Sequence, residues 1–276
     1  MLGSIIRRQI LTAARERRLQ GVDDEQLTRI EQAMGQQEGE GAVAVLQSLA
    51  ALGRSKLDSD KRYLQLAFNE DIRQMRRVLP WIVCDQRILI EAGTPYLKRE
   101  GMNGIRAIRA LWPGHIVADL KASDGGAEEA AMAHGAGATA ATVLGNSPTE
   151  TLNCFIAACR RLEMAAMVDM LGVTDPLRVL MQLRLPPDVV VLHRGRDEES
   201  TRGKVIQYRH VTRVRSKFDT LISAAGGVDL REARSAIFNG ASIVVVNVVS
   251  PGKPWNGIPA DGDVGTIARS FLATIE

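Results

Sequence analysis

Eight short apolar runs punctuate the chain beyond residue 60, and the stretches between them place their apolar residues at helical spacing. The runs are YLQLAF (63–68), RILIEAG (87–93), HIVADL (115–120), ATAATVLG (138–145), MAAMVDML (164–171), DVVVLH (188–193), TLISAAGG (220–227) and SIVVVN (242–247). β-Branched and aliphatic runs alternating with helical patterns indicate parallel strands joined by right-handed crossovers. Eight of them favour closure, so the pattern predicts an α/β chain whose residues 61–276 form a (β/α)8 TIM-type barrel. A doubly wound open sheet is the competing arrangement. The first run lacks a following G-x-G-x-x-G, which counts against a dinucleotide-binding version of it.

Residues 1–60 carry a different pattern. Ile5, Ile6, Ile10 and Ala13 or Ala14 recur at helical period, and DDEQLTRIEQAM and AVAVLQSLAALG read as two further helical pieces divided by the loop GQQEGEG. This segment is expected to be a helical N-terminal extension used for packing or assembly. Its basic residues near 7–18 read as a solvated face.

Composition narrows the function classes. The formal charge is +3 and aromatic residues make up 4% of the chain. Neither a polyanion-binding field nor a stacking surface for bases follows, so nucleic acid is not an expected partner. No apolar run reaches the roughly 18 residues of a membrane span, and the start of the chain lacks a signal-peptide pattern. Three cysteines, Cys84, Cys154 and Cys159, have no metal-ligand spacing and cannot all pair, which fits a reducing, cytoplasmic location.

Barrel active sites lie where the strands end, so the last residues of each run are the place to look for chemistry. They carry Asn69, Glu91, Asp119 with Lys121, Asp169, His193 with Arg196, Gly226 with Gly227, and Asn247. One strand-end carboxylate alone is usually a helix cap; six polar ends on one rim point to a site. Glu91 and Asp119 end neighbouring strands and would repel without a proton or a hard cation between them. An oxygen-seeking ion such as Mg²⁺ suits that pair, and neutralisation by Lys121 is the alternative that spacing leaves open. Asp119 and Lys121, two apart on an extended strand, should point the same way. Lys121 could then stabilise a developing oxyanion or hand over a proton. Asp124 reads equally as a catalytic group and as the N-cap of GGAEEAAMAHG. The turn AAGGVD (224–229) leads into a helix and exposes backbone N–H groups to a phosphate.

The segments IEAGTPYLKREG (90–101), ADLKASDGG (118–126), ATVLG (141–145), MVDMLGV (167–173), LHRGRDEES (192–200) and AAGGV (224–228), in this order, resemble the orotidine 5′-monophosphate decarboxylase superfamily. Within it they look like the branch of 3-hexulose-6-phosphate synthase and 3-keto-L-gulonate-6-phosphate decarboxylase. The resemblance spans roughly residues 63–250. It implies a cytoplasmic, homodimeric, Mg²⁺-dependent lyase that forms a 1,2-ene-diolate on a sugar phosphate. By position, Glu91 and Asp119 match the metal ligands, and Lys121 matches the lysine beside the ene-diolate. Asp124 matches an aspartate that reaches across the dimer interface. His193 and Arg196 match groups over the substrate that the decarboxylase branch uses to deliver a proton.

Two positions depart from the pattern. Asn69 stands where the family usually has aspartate, and Asn247 and Val248 stand where it usually has Gly-Arg holding the phosphate. Lys253 is the expected substitute cation. Asp169 and Ala225 match the synthase pattern, and Arg196 the decarboxylase pattern. The expectation is an aldol-type synthase joining formaldehyde to ribulose 5-phosphate, with the carboxy-lyase as alternative and a diverged binding or scaffold barrel as a third reading.

Overall fold

The computed structural model describes residues 57–276 except 200 and 202; the expected helical extension therefore lies, but for its last four residues, outside the described part. All eight apolar runs are strands: β1 (Tyr63–Phe68), β2 (Ile88–Ala92), β3 (Ile116–Ala122), β4 (Ala140–Leu144), β5 (Ala165–Asp169), β6 (Val189–His193), β7 (Leu221–Ala225) and β8 (Ile243–Val249). They pair in sequence order, all parallel, and β1 closes on β8 with Tyr63 opposite Ile243 and Phe68 opposite Val248. The sheet is a closed TIM-type barrel.

Closure sorts each strand's side chains into two cores. Residues such as Leu64, Leu66, Phe68, Ile88 and Ile90 face outward against the helices, while Tyr63, Leu89, Val117, Met167, Val189, Leu221 and Ile243 fill the barrel interior. Full burial of one such Leu, Ile or Phe side chain is worth roughly 1.5–3 kcal/mol. The outer layer includes α1 (Ile72–Val78), α2 (Thr94–Arg109), α3 (Gly126–Gly135), α4 (Thr149–Arg161), α5 (Pro176–Leu180), α6 (Arg196–Glu199), α7 (Arg209–Arg215), α8 (Leu230–Phe238) and α9 (Val264–Thr274). The abundant small residues let these helices sit close: Gly126 of α3 leaves only 3.0 Å between an added Cβ and the Cβ of Phe155 on α4.

Two boundaries differ from the sequence reading. β8 continues two residues past Asn247, because a two-residue strand β9 (Ile258–Pro259) pairs with Val248 and Val249. β3 breaks register with β4 between Ala118 and Ala122, and within that break Lys121 has a left-handed backbone, φ 49°.

The amino-terminal end of the barrel is tied together by one side chain. Arg109, at the end of α2, donates through Nε and Nη2 to the Gly137 carbonyl and through Nη1 to those of Trp112, Pro113 and Gly114, all at 2.8–3.0 Å. The carboxyl-terminal end holds the cleft. No helix among the described residues is long and apolar enough to cross a membrane, and the three cysteines are unpaired.

Candidate active site

A cleft of about 470 Å³ opens at the carboxyl ends of the strands, within the size range of small-molecule sites. Asn69, Glu91, Asp119, Lys121, Asp169, His193, Arg196, Gly226 and Asn247 line it.

Its centre is a continuous ion-pair chain. Lys121 Nζ lies 2.8 Å from both carboxylate oxygens of Asp119 and 2.9 Å from Asp169 Oδ2. Asp169 Oδ2 accepts in turn from His193 Nδ1 at 2.8 Å, and its Oδ1 accepts from the Leu171 N–H at 3.0 Å. The bulge in β3 makes this possible. The Lys121 N–H leaves the ladder to donate to Thr142 Oγ1 at 2.9 Å, and the left-handed turn carries the ammonium back over Asp119. Thr142 and Thr94 hydroxyls donate to Asp119 Oδ1 and Oδ2 at 2.9 and 2.7 Å, so its carboxylate is fully engaged.

These contacts set the protonation states. Burial works against the Lys121 ammonium, but Asp119 and Asp169 outweigh it and hold the amine well above its ordinary range. Burial would raise Asp169, yet His193 and Lys121 hold it below the usual carboxylate range. Burial would lower His193, and Asp169 raises it above 6.5. A carboxylate accepts only, so Nδ1 carries the proton and Nε2 is left without a partner among the described residues.

Glu91 stands apart from this chain. Lys121 pairs with Asp119 and Asp169 and makes no ion pair with Glu91, so it neutralises only one member of the Glu91–Asp119 pair. Glu91 receives one hydrogen bond, from Gln65 Nε2 at 2.6 Å. Burial first, and then the Asp119 charge, push its carboxyl up to about 7. Beside it the Gln65 Oε1 atom is buried with no hydrogen-bond partner. An uncompensated carboxyl and an orphaned amide oxygen form an oxygen-only donor set that fits a hard cation completing its shell with water and ligand oxygens. Among the described residues, no cluster of three or more His, Cys, Asp or Glu side chains gathers as a closed metal centre would require.

Several expected positions are corrected. Asp124 is exposed, is absent from the cleft lining and accepts only from the Gly125 N–H; the N-cap of α3 is Gly125, in the left-handed conformation, so Asp124 is not the cap. Lys253 is exposed and sits 5.6 Å from the Trp255 ring rather than in the cleft. Gly226 lines the cleft and Gly227 does not. The helix after them begins at Leu230 and is capped by the Asp229 carboxylate, so a phosphate there would meet the glycine N–H groups and not a helix end. Gly226 (φ 110°) must be glycine, because a Cβ would collide with the Arg194 carbonyl. Val248 is buried in the outer core, whereas Asn247 faces the cleft and accepts from Asn69 Nδ2 at 2.9 Å. The two departures noted in the sequence thus touch across the barrel closure.

Four contributors escaped the sequence reading. Gln65 and Thr142 lie mid-run at inward positions, where strand alternation gives a signal. Thr94 opens α2 directly after β2. Trp255, 4.4 Å under the Arg196 guanidinium, belongs to no run and leaves no pattern.

A family profile for orotidine 5′-phosphate decarboxylase / HUMPS proteins matches residues 71–247. The bifunctional enzyme Fae/Hps of Methanosarcina barkeri is 36% identical over 218 residues, covering 78% of this chain and 53% of that protein. The corresponding protein of Methanoculleus marisnigri is 38% identical, with 77% and 52% covered. The chain therefore spans about half the length of these curated relatives. Among solved structures, 3-hexulose-6-phosphate synthase from Salmonella typhimurium superposes with a TM-score of 0.67 at 28% identity, covering 77% of this chain and 98% of that one. The 3-keto-L-gulonate-6-phosphate decarboxylase from Vibrio cholerae, at 20% identity and a TM-score of 0.60, covering 78% and 97%, shares the fold.

Proposed function

The chain belongs to the orotidine 5′-phosphate decarboxylase / HUMPS family, and from that premise we propose that it is a carbon–carbon lyase of the 3-hexulose-6-phosphate synthase kind. Its reaction is the aldol joining of formaldehyde to ribulose 5-phosphate. The observation that carries this reading is the buried chain from His193 through Asp169 and Lys121 to Asp119, which sets a proton acceptor and a fixed positive charge in one cleft.

In the proposed reaction neutral His193, its Nδ1–H held by Asp169, takes the C1 proton of ribulose 5-phosphate at Nε2. The electrons of that C–H bond move to the C2 oxygen and give the 1,2-ene-diolate. Lys121, kept charged by Asp119 and Asp169, opposes the charge that develops there. C1 then forms its new bond to the formaldehyde carbon, the C=O electrons move to the aldehyde oxygen, and that oxygen takes the proton back from His193. Glu91, with the Gln65 amide oxygen beside it, would hold Mg²⁺, and Asp119 would join them only by releasing donors that engage it here; when bound the ion supplies Lewis-acid stabilisation to neighbouring ligand oxygens. The same reading pairs two chains so that Asp124, exposed and outside its own cleft, serves the partner's.

Arg196, lining the cleft three residues after His193, is the feature that favours the runner-up, a carboxy-lyase acting on 3-keto-L-gulonate 6-phosphate. The test is a coupled assay with Mg²⁺ that offers each substrate set separately. Turnover of formaldehyde with ribulose 5-phosphate alone is expected, and Lys121→Met should remove it. Turnover of the second substrate alone would replace the synthase reading with the carboxy-lyase. Turnover of neither would leave a diverged binding barrel.

A further inference from the structure

The loop after β6 and the loop after β8 meet beside the cleft through one pair of side chains. The Arg196 guanidinium of the first lies over the Trp255 ring of the second, 4.4 Å from its centroid. Arg196 lines the cleft and Trp255 does not. Among the described residues Arg196 makes no ion pair, although three acidic residues follow it directly.

The two sides of this contact are not equally fixed. α6 (Arg196–Glu199) is a single helical turn with no buried side chain, and all four of its residues line the cleft. The backbone just before it is tied down, since Arg194 donates through Nη2 to the Gly226 carbonyl at 2.8 Å. Within the turn the ties are local: Glu198 accepts from the Gly195 N–H at 3.0 Å and pairs with Lys204 at 2.9 Å, both in the same loop. Glu199 lies against Gly227 but makes no ion pair among the described residues. A segment held without core packing opens locally at low free energy.

The ring side is a fixed post. Ser250 donates its N–H and hydroxyl to Glu70 at 3.2 and 2.7 Å and accepts from Gln74 Nε2 at 2.9 Å, and β9 pins the far end of the loop by pairing Ile258 with Val248. Asn256, next to Trp255, donates to the Gly227 carbonyl at 3.4 Å, and its own carbonyl accepts from Asn247 Nδ2 at 3.4 Å. Gly257 packs so closely on β8 that a Cβ there would collide with the Asn247 carbonyl. Lys253 Nζ also lies near the ring, at 5.6 Å, but it belongs to the same loop and joins no second element to it.

We propose that Trp255 is a positioning residue whose ring, through Arg196, clasps α6 against the cleft and keeps that wall in place when a ligand binds. The clasp goes beyond the reaction proposed above and holds for whichever substrate the cleft takes.

The test is amide hydrogen exchange of the unliganded full chain, read on peptides covering residues 194–199. A cation over an indole at an exposed site biases a local equilibrium about 2- to 5-fold, so Trp255→Leu and Arg196→Met should each speed exchange there by about that factor. The double variant should exchange no faster than either single one, because each breaks the same contact. Trp255→Phe, which keeps a ring face, should restore slow exchange, and Lys253→Met should match the wild type. Wild-type exchange in Trp255→Leu, or a double variant whose effect is the product of the two single effects, overturns the clasp. Kinetics with formaldehyde and ribulose 5-phosphate give a second readout. An open fraction weakens binding and vanishes at saturation, so Trp255→Leu should raise KM by about 2- to 5-fold and leave kcat unchanged. A fall in kcat with KM unchanged would overturn the clasp. Absence of turnover in the wild type would sink the aldol reaction instead, and exchange would then decide the clasp by itself.

Discussion

Glu91→Gln should stabilise the metal-free protein at alkaline pH, although it alters a residue at the heart of the cleft. The carboxyl is displaced from an ordinary 4.5 to about 7 by burial and by Asp119. Its folded-state pKa lies above its unfolded one, so between those values the folded state binds more protons. Stability is therefore greatest below about 4.5 and falls as pH rises through about 7. At 1.36 kcal/mol per unit the charged carboxyl costs at most about 3 kcal/mol at pH ~8. Glutamine has the same shape and no charge. Its oxygen can accept from Gln65 Nε2, and its NH₂ can donate to the Gln65 Oε1 atom that is buried without a partner.

The assay is thermal melting in chelator from pH ~5 to ~8. With roughly 2–4 °C per kcal/mol for a domain of this size, the variant should melt roughly 6–12 °C above the wild type at the alkaline end. The gap should close towards the acidic end, where Glu91 is protonated. Excess Mg²⁺ at the alkaline end should raise the wild type and not the variant, because only the carboxylate gains from a cation. A variant that melts at or below the wild type at alkaline pH, or a gap that does not change with pH, would refute the account of Glu91 as an uncompensated buried charge.

The fold was legible because each strand is buried on both faces, so the eight runs stand out whatever lies between them. What the runs could not show was set by distant contacts. The extended backbone expected at Lys121 gave way to a left-handed turn because Thr142, on the next strand, accepts its N–H. Asn69 and Asn247 stood out separately as departures, but their bond joins residues 178 apart in sequence and exists only because the barrel closes. Strand-end carboxylates were legible as a group, and their division of labour was not. Asp119 and Asp169 share one ammonium while Glu91 has none, a distinction that depends on side-chain reach across strands. Trp255 illustrates the opposite limit: a loop residue whose role comes from the cation above it carries no periodicity to read.

Asp169→Asn should lower turnover and move the acid limb of the rate profile to lower pH, since Asp169 is what lifts His193 above 6.5 against burial; a limb that stays put would remove His193 as the titrating base. Arg109→Met should cost about 3 kcal/mol, read as a fall in melting temperature, because it releases four carbonyls at the end of the barrel remote from the cleft; a loss under about 1 kcal/mol would show that water replaces those bonds freely. The pairing of chains has a sharper test, since Asp124 has no work in its own cleft. Asp124→Ala and Lys121→Ala chains should each be inactive as homodimers. When the two are mixed and re-equilibrated, a mixed dimer has one site that lacks both groups and one that has Lys121 from its own chain and Asp124 from the other. Random mixing in equal amounts makes half of the dimers mixed, each with one intact site out of two, so about a quarter of wild-type activity should return. An Asp124→Ala chain that is active alone would show that no cleft needs the carboxylate. Inactive parents with no recovery, in mixtures shown by mass to contain mixed dimers, would mean that Asp124 serves its own cleft, against the exposed position in which the structure leaves it.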